Sequence, residues 1–280
     1  MVDQVPVVEA RGEAAMIISL LYHDVVPPGQ FGVSGFPGDD ADIYKLDQPE
    51  FESHLEAIER SSSRPGVTAL HRADAGLDAR ALLFTFDDGG ASALATATLL
   101  ETRGWRGHFL VTTDYIGKHG FLTAENILEL HQRGHVVGSH SCSHPSRMSH
   151  CPRAQLEREW KESVRVLSDI MGEKARVASV PGGYYSRGVA EAAAASGIEV
   201  LFNSEPTSRV ERVDNCLVVG RYSIVRGDSS ATAARLACGD WRPRLRQFLV
   251  WNAKKVAKRL GGNYYLAIRK SLLRKAVDPS

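Results

Sequence analysis

The amino-acid sequence predicts an α/β fold, a closed or nearly closed (β/α) barrel of about seven strands. Three observations carry this. Short apolar runs alternate with amphipathic helical patterns over roughly 220 residues, as parallel strands covered by helices require. The 280 residues, 43% of them hydrophobic, suffice for one large core. His and Asp residues directly follow several of the apolar runs, and the C-terminal strand ends are where barrels and open parallel sheets alike hold functional groups. A doubly wound open sheet would use the same elements.

In order, AMIISLLY (15–22) reads as a first buried strand. PEFESHLEAIERSS (49–62) is a helix with Phe51, Leu55 and Ile58 on one face. ALLFTF (81–86) is the second strand, and ASALATATLLETRG (91–104) a helix stopped by Gly104. GHFLVT (107–112) is the third strand. TAENILELHQRG (123–134) is a helix with Thr123 as N-cap and Gly134 as its stop. HVVGSH (135–140) is the fourth strand, followed by a long helix over 151–172. ARVASV (175–180), a helix over 186–197, IEVLFN (198–203) and LVVGRYSIV (217–225) complete the series.

Two segments stand outside this alternation. Val25 to Leu46 is a long Gly-, Pro- and Asp-rich loop after the first strand, and such loops are often functional. Trp241 to Val277 holds no acidic residue and interleaves basic with aromatic residues at helical spacing. The expected organisation is therefore a barrel over 1–240 and a basic amphipathic helical extension over 241–280. The extension suits either the inner-membrane surface or packing against the barrel with a solvated basic face. No nucleic-acid partner is expected, because no binding motif accompanies the charge. Net charge is +1, and the four cysteines form no CxxC pair. With no signal-peptide core or membrane-spanning run, the expected location is cytoplasmic, peripheral to the membrane at most.

The second strand runs into adjacent carboxylates, Asp87 and Asp88, and then two glycines. Like charges at a buried strand end cost free energy unless something compensates. Beyond the fourth strand, HSCSHP offers His140 and His144, whose imidazoles suit zinc, nickel, cobalt or iron. Two His and one Asp would leave coordination positions open, as hydrolytic sites need. The second Asp could then take a proton from water. The residues alone leave open which aspartate does which.

With these motifs in this order, the chain resembles the polysaccharide deacetylases, the NodB-homology carbohydrate esterases. TFDDG (85–89) is similar to their first motif and HSCSH (140–144) to their second, H-[S/T]-x-x-H. GHFLVTTDYIG and LELHQRGHVVGSHSCSHP follow the surrounding pattern, and the resemblance covers roughly residues 16–226. It implies a distorted NodB-type barrel and metal-dependent removal of acetyl groups from an N-acetylated sugar of a glycan or its precursor. It implies Asp87 as general base and Asp88, His140 and His144 as ligands of a divalent metal, zinc first, with cobalt, nickel or iron as alternatives.

The third motif of the family, R-x-P-[Y/F/G]-G, reads SVPGG (179–183) here. Ser179 stands where the family has the Arg that orients the catalytic Asp, leaving Arg221 and Arg187 as replacements. Pro181 and Gly182 are kept, so a backbone N–H near Gly182 is the candidate oxyanion donor. Tyr184, Tyr185 and Asn203 are candidates for the substrate cleft. The late Leu-x-His motif is missing, and no histidine follows His150. His23, in LLYHDVV, is the expected general acid. First and last strands of a barrel are neighbours, and this segment resembles the YHDV start of the poly-N-acetylglucosamine deacetylase branch. The alternatives are an amidohydrolase or O-acetyl esterase on the same scaffold, or a non-catalytic glycan-binding module, which the missing Arg would favour. His108 reads as a core histidine, His131, His135 and His150 as surface ones, Trp105 and Trp160 as packing residues, and Cys142 as no ligand.

Overall fold

The computed structural model of the chain describes residues 16–73 and 80–253. The expectations for 1–15 and for the extension beyond 253 lie outside the described residues. The strands are β1 (Met16–Tyr22), β2 (Val25–Val26), β3 (Leu46–Asp47), β4 (Gly66–Val67), β5 (Arg80–Phe86), β6 (His108–Val111), β7 (Val136–Ser139), β8 (Val177–Ser179), β9 (Val200–Phe202), β10 (Val210–Val213), β11 (Cys216–Val219) and β12 (Tyr222–Ser223). Helices α1 (Asp39–Asp42), α2 (Gln48–Arg60), α3 (Ala93–Glu101), α4 (Ala124–Gln132), α5 (Arg153–Met171), α6 (Arg187–Ala195) and α7 (Ser230–Ala237) lie between and after them.

One sheet runs β10-β11-β9-β8-β7-β6-β5-β1-β12, with β4 added to β5. Its pairs are parallel except the β10–β11 hairpin, which the sequence pattern did not suggest. The sheet curls with helices outside it, the distorted (β/α) barrel expected. The predicted seventh strand is two. β11 pairs with β9, and β12, three residues on, pairs with β1. One bent length of chain therefore carries the sheet from its last strand back to its first. At the bend, a Cβ on Gly220 would stand 2.5 Å from the carbonyl oxygen of Glu205. Only glycine fits that approach.

Alternation along the strands sorts the core. Ile17, Leu83, Leu110, Val136, Val177, Val200, Phe202 and Val219, drawn from successive strands, form one cluster inside the curl. The opposite faces pack on helices, as with Phe51, Leu55 and Ile58 of α2, the predicted stripe. Thr123 caps α4 in a reciprocal capping box with Asn126. Trp105 and Trp160 are buried packing residues. A further helix over 241–253 lies along the seam. Arg244 donates to the Tyr222 hydroxyl beside β12 (2.7 Å) and to Ser208 Oγ before β10 (2.6 Å), and Gln247 to the Ser223 carbonyl (2.8 Å). Among the described residues, no helix is long and apolar enough to cross a membrane.

Candidate metal centre

The site is built on strand ends along one edge of the sheet, those of β1, β5 and β7. Register pairs Tyr22 of β1 with Phe86 of β5, so His23 and Asp87 follow as neighbours about 5 Å apart in backbone. Asp88 follows Asp87 at the end of β5, and His140 and His144, which follow β7 two strands along, converge on it. Asp88 Oδ1 lies 3.4 Å from His140 Nε2 and 3.8 Å from His144 Nε2. The ligand atoms of the three all fall within 4.8 Å of one another. A tetrahedral ion with bonds of about 2.0–2.1 Å needs ligand separations of about 3.3 Å, so a donor set this compact could close on a small divalent cation.

Electrostatics agrees with that fit. Burial, then the charges of Asp87 and Asp24, push the Asp88 carboxyl well above its ordinary range. No Lys or Arg pairs with it among the described ion pairs, and a cation between it and the two histidines could compensate the charge. Burial lowers His140 to about 3, against the pull of Asp87, and lowers His144 as well. Both are therefore neutral near pH 7, the form that binds metal. Asp88, Ser141 and His144 are three of the four described non-glycine residues with positive φ, at 76°, 64° and 57°. Such conformations cost free energy and concentrate at functional sites.

The two glycines of the DDGG run have separate reasons. Gly89 has φ 81°, and a Cβ there would press on Val111. A Cβ on Gly90 would sit 1.9 Å from Asp24 Oδ1. That oxygen accepts from Ser34 Oγ (2.5 Å) and Ser92 Oγ (2.8 Å), which ties the long loop to the sheet. The same loop lays the Phe36 ring against His144, 4.8 Å between centroids.

Asp87 is held by Arg221. The guanidinium of Arg221, 1% exposed, donates to both carboxylate oxygens at 2.7 Å, and its Nε donates to the Asn203 carbonyl at 2.9 Å. Burial would raise the Asp87 pKa, but Arg221 and then His140 outweigh it and hold the carboxyl well below the usual range. Arg221 sits at the bend between β11 and β12, so strand closure aims it. Arg187, the other candidate, is exposed on α6 and pairs with Glu191. It does not reach Asp87 because α6 covers the outside of the barrel.

Ser179 is more than a gap. Its hydroxyl donates to Asp87 Oδ1 at 2.9 Å and so accepts from His140 Nδ1 at 2.6 Å. That fixes Nδ1–H on His140 and leaves the Nε2 lone pair facing Asp88, free to hold a cation. Sequence reasoning missed this link, and it also missed Glu159. Buried on α5, Glu159 accepts from the backbone N–H groups of Cys142 (3.0 Å) and Ser143 (2.8 Å) and from Ser143 Oγ (2.6 Å). A Glu among Leu156, Trp160 and Val164 on the apolar face of α5 was the available signal.

The other candidates are placed as follows. The His23 ring lies against Tyr44, 4.8 Å between centroids, and its Nδ1 is buried without a protein partner. Burial lowers its pKa to about 4, opposed by the charge of Asp87. Gly182, at φ 60°, and Tyr184 lie on and after the turn that follows β8. Asn203 holds Arg221 through its carbonyl. The Cys142 thiol donates to Asp114, and burial together with that contact pushes it up to about 12, so it stays protonated. His108 is a core residue as expected. His135, read as a surface residue, is instead buried: its Nδ1 accepts from Gly107 N–H and its Nε2 contacts Glu101 at 3.0 Å. The strand start that carries it is covered, and Glu101 supplies the polar partner.

The family model described as Polysaccharide deacetylase matches residues 74–201. YxkH of Bacillus subtilis (strain 168), named for the same family, is 24% identical over 171 residues, 58% of this chain and 60% of YxkH. The chain thus spans 60% of the length of that curated relative. IcaB from Ammonifex degensii superposes with a TM-score of 0.64 at 20% identity, covering 81% of this chain and 98% of that one. The Streptococcus pyogenes deacetylase PplD in complex with acetate gives 0.61 at 18% identity, covering 78% and 96%. A de-N-acetylase from Aggregatibacter actinomycetemcomitans gives 0.60 at 17% identity, covering 73% and 93%. At these identities the structural likeness is one of fold.

Proposed function

We propose that the chain, whose residues 74–201 match the polysaccharide deacetylase family model, is a metal-dependent hydrolase that removes N-acetyl groups from an N-acetylated sugar of a glycan or glycan precursor. The observation that carries this reading is the pairing of Asp87 with Arg221 directly beside the Asp88–His140–His144 set. Among the solved relatives, one is described as a de-N-acetylase and another as a deacetylase holding acetate, which favours the same reaction class here.

A divalent cation held by Asp88, His140 and His144 would polarise an acetyl carbonyl and make water more acidic. Zinc is the proposed ion, since two imidazoles and a carboxylate suit it. Asp87 is the proposed base. Its Oδ1 is occupied by Ser179 and Arg221, whereas Oδ2 has a single hydrogen bond and keeps a lone pair for the proton of water. Arg221 keeps Asp87 ionised next to Asp88, fixes its orientation and makes it a weak base. The proton therefore does not rest on Asp87. His23, its neighbour across the sheet, has the higher proton affinity and is the proposed relay to the leaving amine. The backbone N–H at Gly182 is the proposed oxyanion donor, and Tyr184 a proposed contact for the sugar. The missing motif Arg, which favoured a non-catalytic module, loses weight because Arg221 makes the corresponding contact.

The test is acetate release from N-acetylglucosamine oligomers and from O-acetylated oligosaccharides, before and after chelation. The expected result is release from the N-acetyl substrate alone, abolished by chelator and restored by zinc. Release only from the esters would establish the esterase instead. Oligomer binding without turnover under any divalent metal would establish the binding module.

A further inference from the structure

The helix over 241–253 has three faces. Arg244 and Gln247 hold one against the seam of the barrel. At 100° per residue, Trp241, Leu245, Phe248 and Leu249 fall on a second face about 100° wide. These four side chains are 63%, 44%, 47% and 58% exposed, and Val250 is 46% exposed. Val33 is the only other large apolar side chain so exposed among the described residues. Exposed Arg242 and Arg246 form a third face along the edge of the apolar one. A concentrated apolar patch with a charged border marks an interaction surface.

We infer that this face docks the protein on an anionic lipid bilayer, with the helix lying in the interface plane. Charge complementarity selects that occupant. From Trp241 to Val277 the sequence has eleven Lys and Arg and no acidic residue. A second copy pairing through the same face would oppose Arg242 and Arg246 to one another with no carboxylate on the helix to neutralise them. The segment after residue 253 is equally basic and meets the same repulsion. An anionic bilayer offers headgroups to the arginines and hydrocarbon to Trp241, Phe248 and Leu249 together. The inference does not depend on the proposed activity.

Co-sedimentation of the full chain with vesicles tests it, using phosphatidylcholine alone and phosphatidylcholine with phosphatidylglycerol. The expected result is binding to the anionic vesicles, at least tenfold weaker on the neutral ones and weakened by salt. The triple variant Trp241→Ser, Phe248→Ser, Leu249→Ser keeps every charge and alters only exposed side chains. It should bind at least tenfold more weakly than the natural chain, with an unchanged thermal unfolding curve. Equal binding by the two chains would overturn the inference, leaving the attraction to charge alone. Absence of binding by the natural chain would overturn it too, as would a vesicle-free dimer that the triple variant converts to monomer.

Discussion

At the scale of single residues, the site divides its labour by what holds each carboxylate. Asp87 is paired with a buried guanidinium, and Asp88, which has no Arg or Lys partner among the described ion pairs, is the carboxylate proposed to hold the cation. Replacing Arg221 by Met strands a buried charge, a change that costs about 3–5 kcal/mol in comparable pairs. Arg221→Lys keeps the charge and loses the two-pronged contact. Its kcat should fall about 100-fold with KM little changed and bound zinc undiminished, as steady-state kinetics and metal analysis would show. Unchanged kcat would mean that Arg221 does not position the base. Asp87→Asn separates base from ligand. It should retain zinc and lose about 100-fold or more in turnover, whereas Asp88→Asn should lose the zinc itself. Ser179→Ala removes the link between His140 and Asp87, and zinc affinity should drop about 10- to 100-fold, the usual effect of losing a partner that orients a metal-bound imidazole. A competitive chelator titration would measure it.

At the scale of elements, the loop 140–144 owes its shape to α5. Glu159 satisfies two backbone N–H groups and one hydroxyl there, while His144 N–H finds Ser141 Oγ at 3.1 Å. Glu159→Ala should lower unfolding free energy by about 3 kcal/mol, since it leaves buried donors unpaired. It should also weaken zinc binding, although it touches no ligand. Urea denaturation of the metal-free chain and a zinc titration read the two effects separately, and an unaffected zinc affinity would show that α5 does not shape the ligand loop. These elements also show where a sequence is legible. The repeating strand–helix pattern, the α2 stripe and the Thr123 cap depend on local periodicity, so they could be read directly. Asp87 and Asp88 after β5, and His140 and His144 after β7, could be picked out because each pair lies in one short motif at its strand end. Arg221 could be named only as one of two candidates, because its aim depends on the bend between β11 and β12, a closure that brings together residues far apart in the chain. The Ser179 link had no local signal at all. It exists only because β5, β7 and β8 end on the same side.

At the scale of the whole molecule, curling the sheet encloses polar groups that the strands carry inward, and the histidines make this visible in the pH dependence of stability. His108 is the cleanest case because it lies inside the curl, away from the proposed metal ligands. Its Nδ1 donates to the Phe84 carbonyl at 2.9 Å, and its Nε2 accepts from the Leu70 N–H at 2.9 Å. A proton on Nε2 would face another donor, so geometry alone demands the neutral ring, and burial lowers the pKa to about 4. An unfolded histidine titrates near 6.5. As pH falls through 6.5, the unfolded chain takes up a proton that the folded one refuses. Stability is therefore full above about pH 6.5, is lost as pH falls, and stops falling on this account near pH 4. The loss from His108 is on the order of 3 kcal/mol. His23 and His140, lowered to about 4 and 3, act in the same direction in the metal-free chain. The raised carboxyls of Asp24 and Asp88 oppose them, because the folded chain binds their protons first. The variant His108→Gln isolates one contribution from this sum. Urea midpoints of the metal-free chain between pH 4.5 and 7.5 should fall less steeply toward acid for the variant than for the natural chain, by close to one proton in the derived slope. Parallel slopes would show that His108 is protonated in the fold, and would contradict the hydrogen-bond pattern that closes the barrel around it.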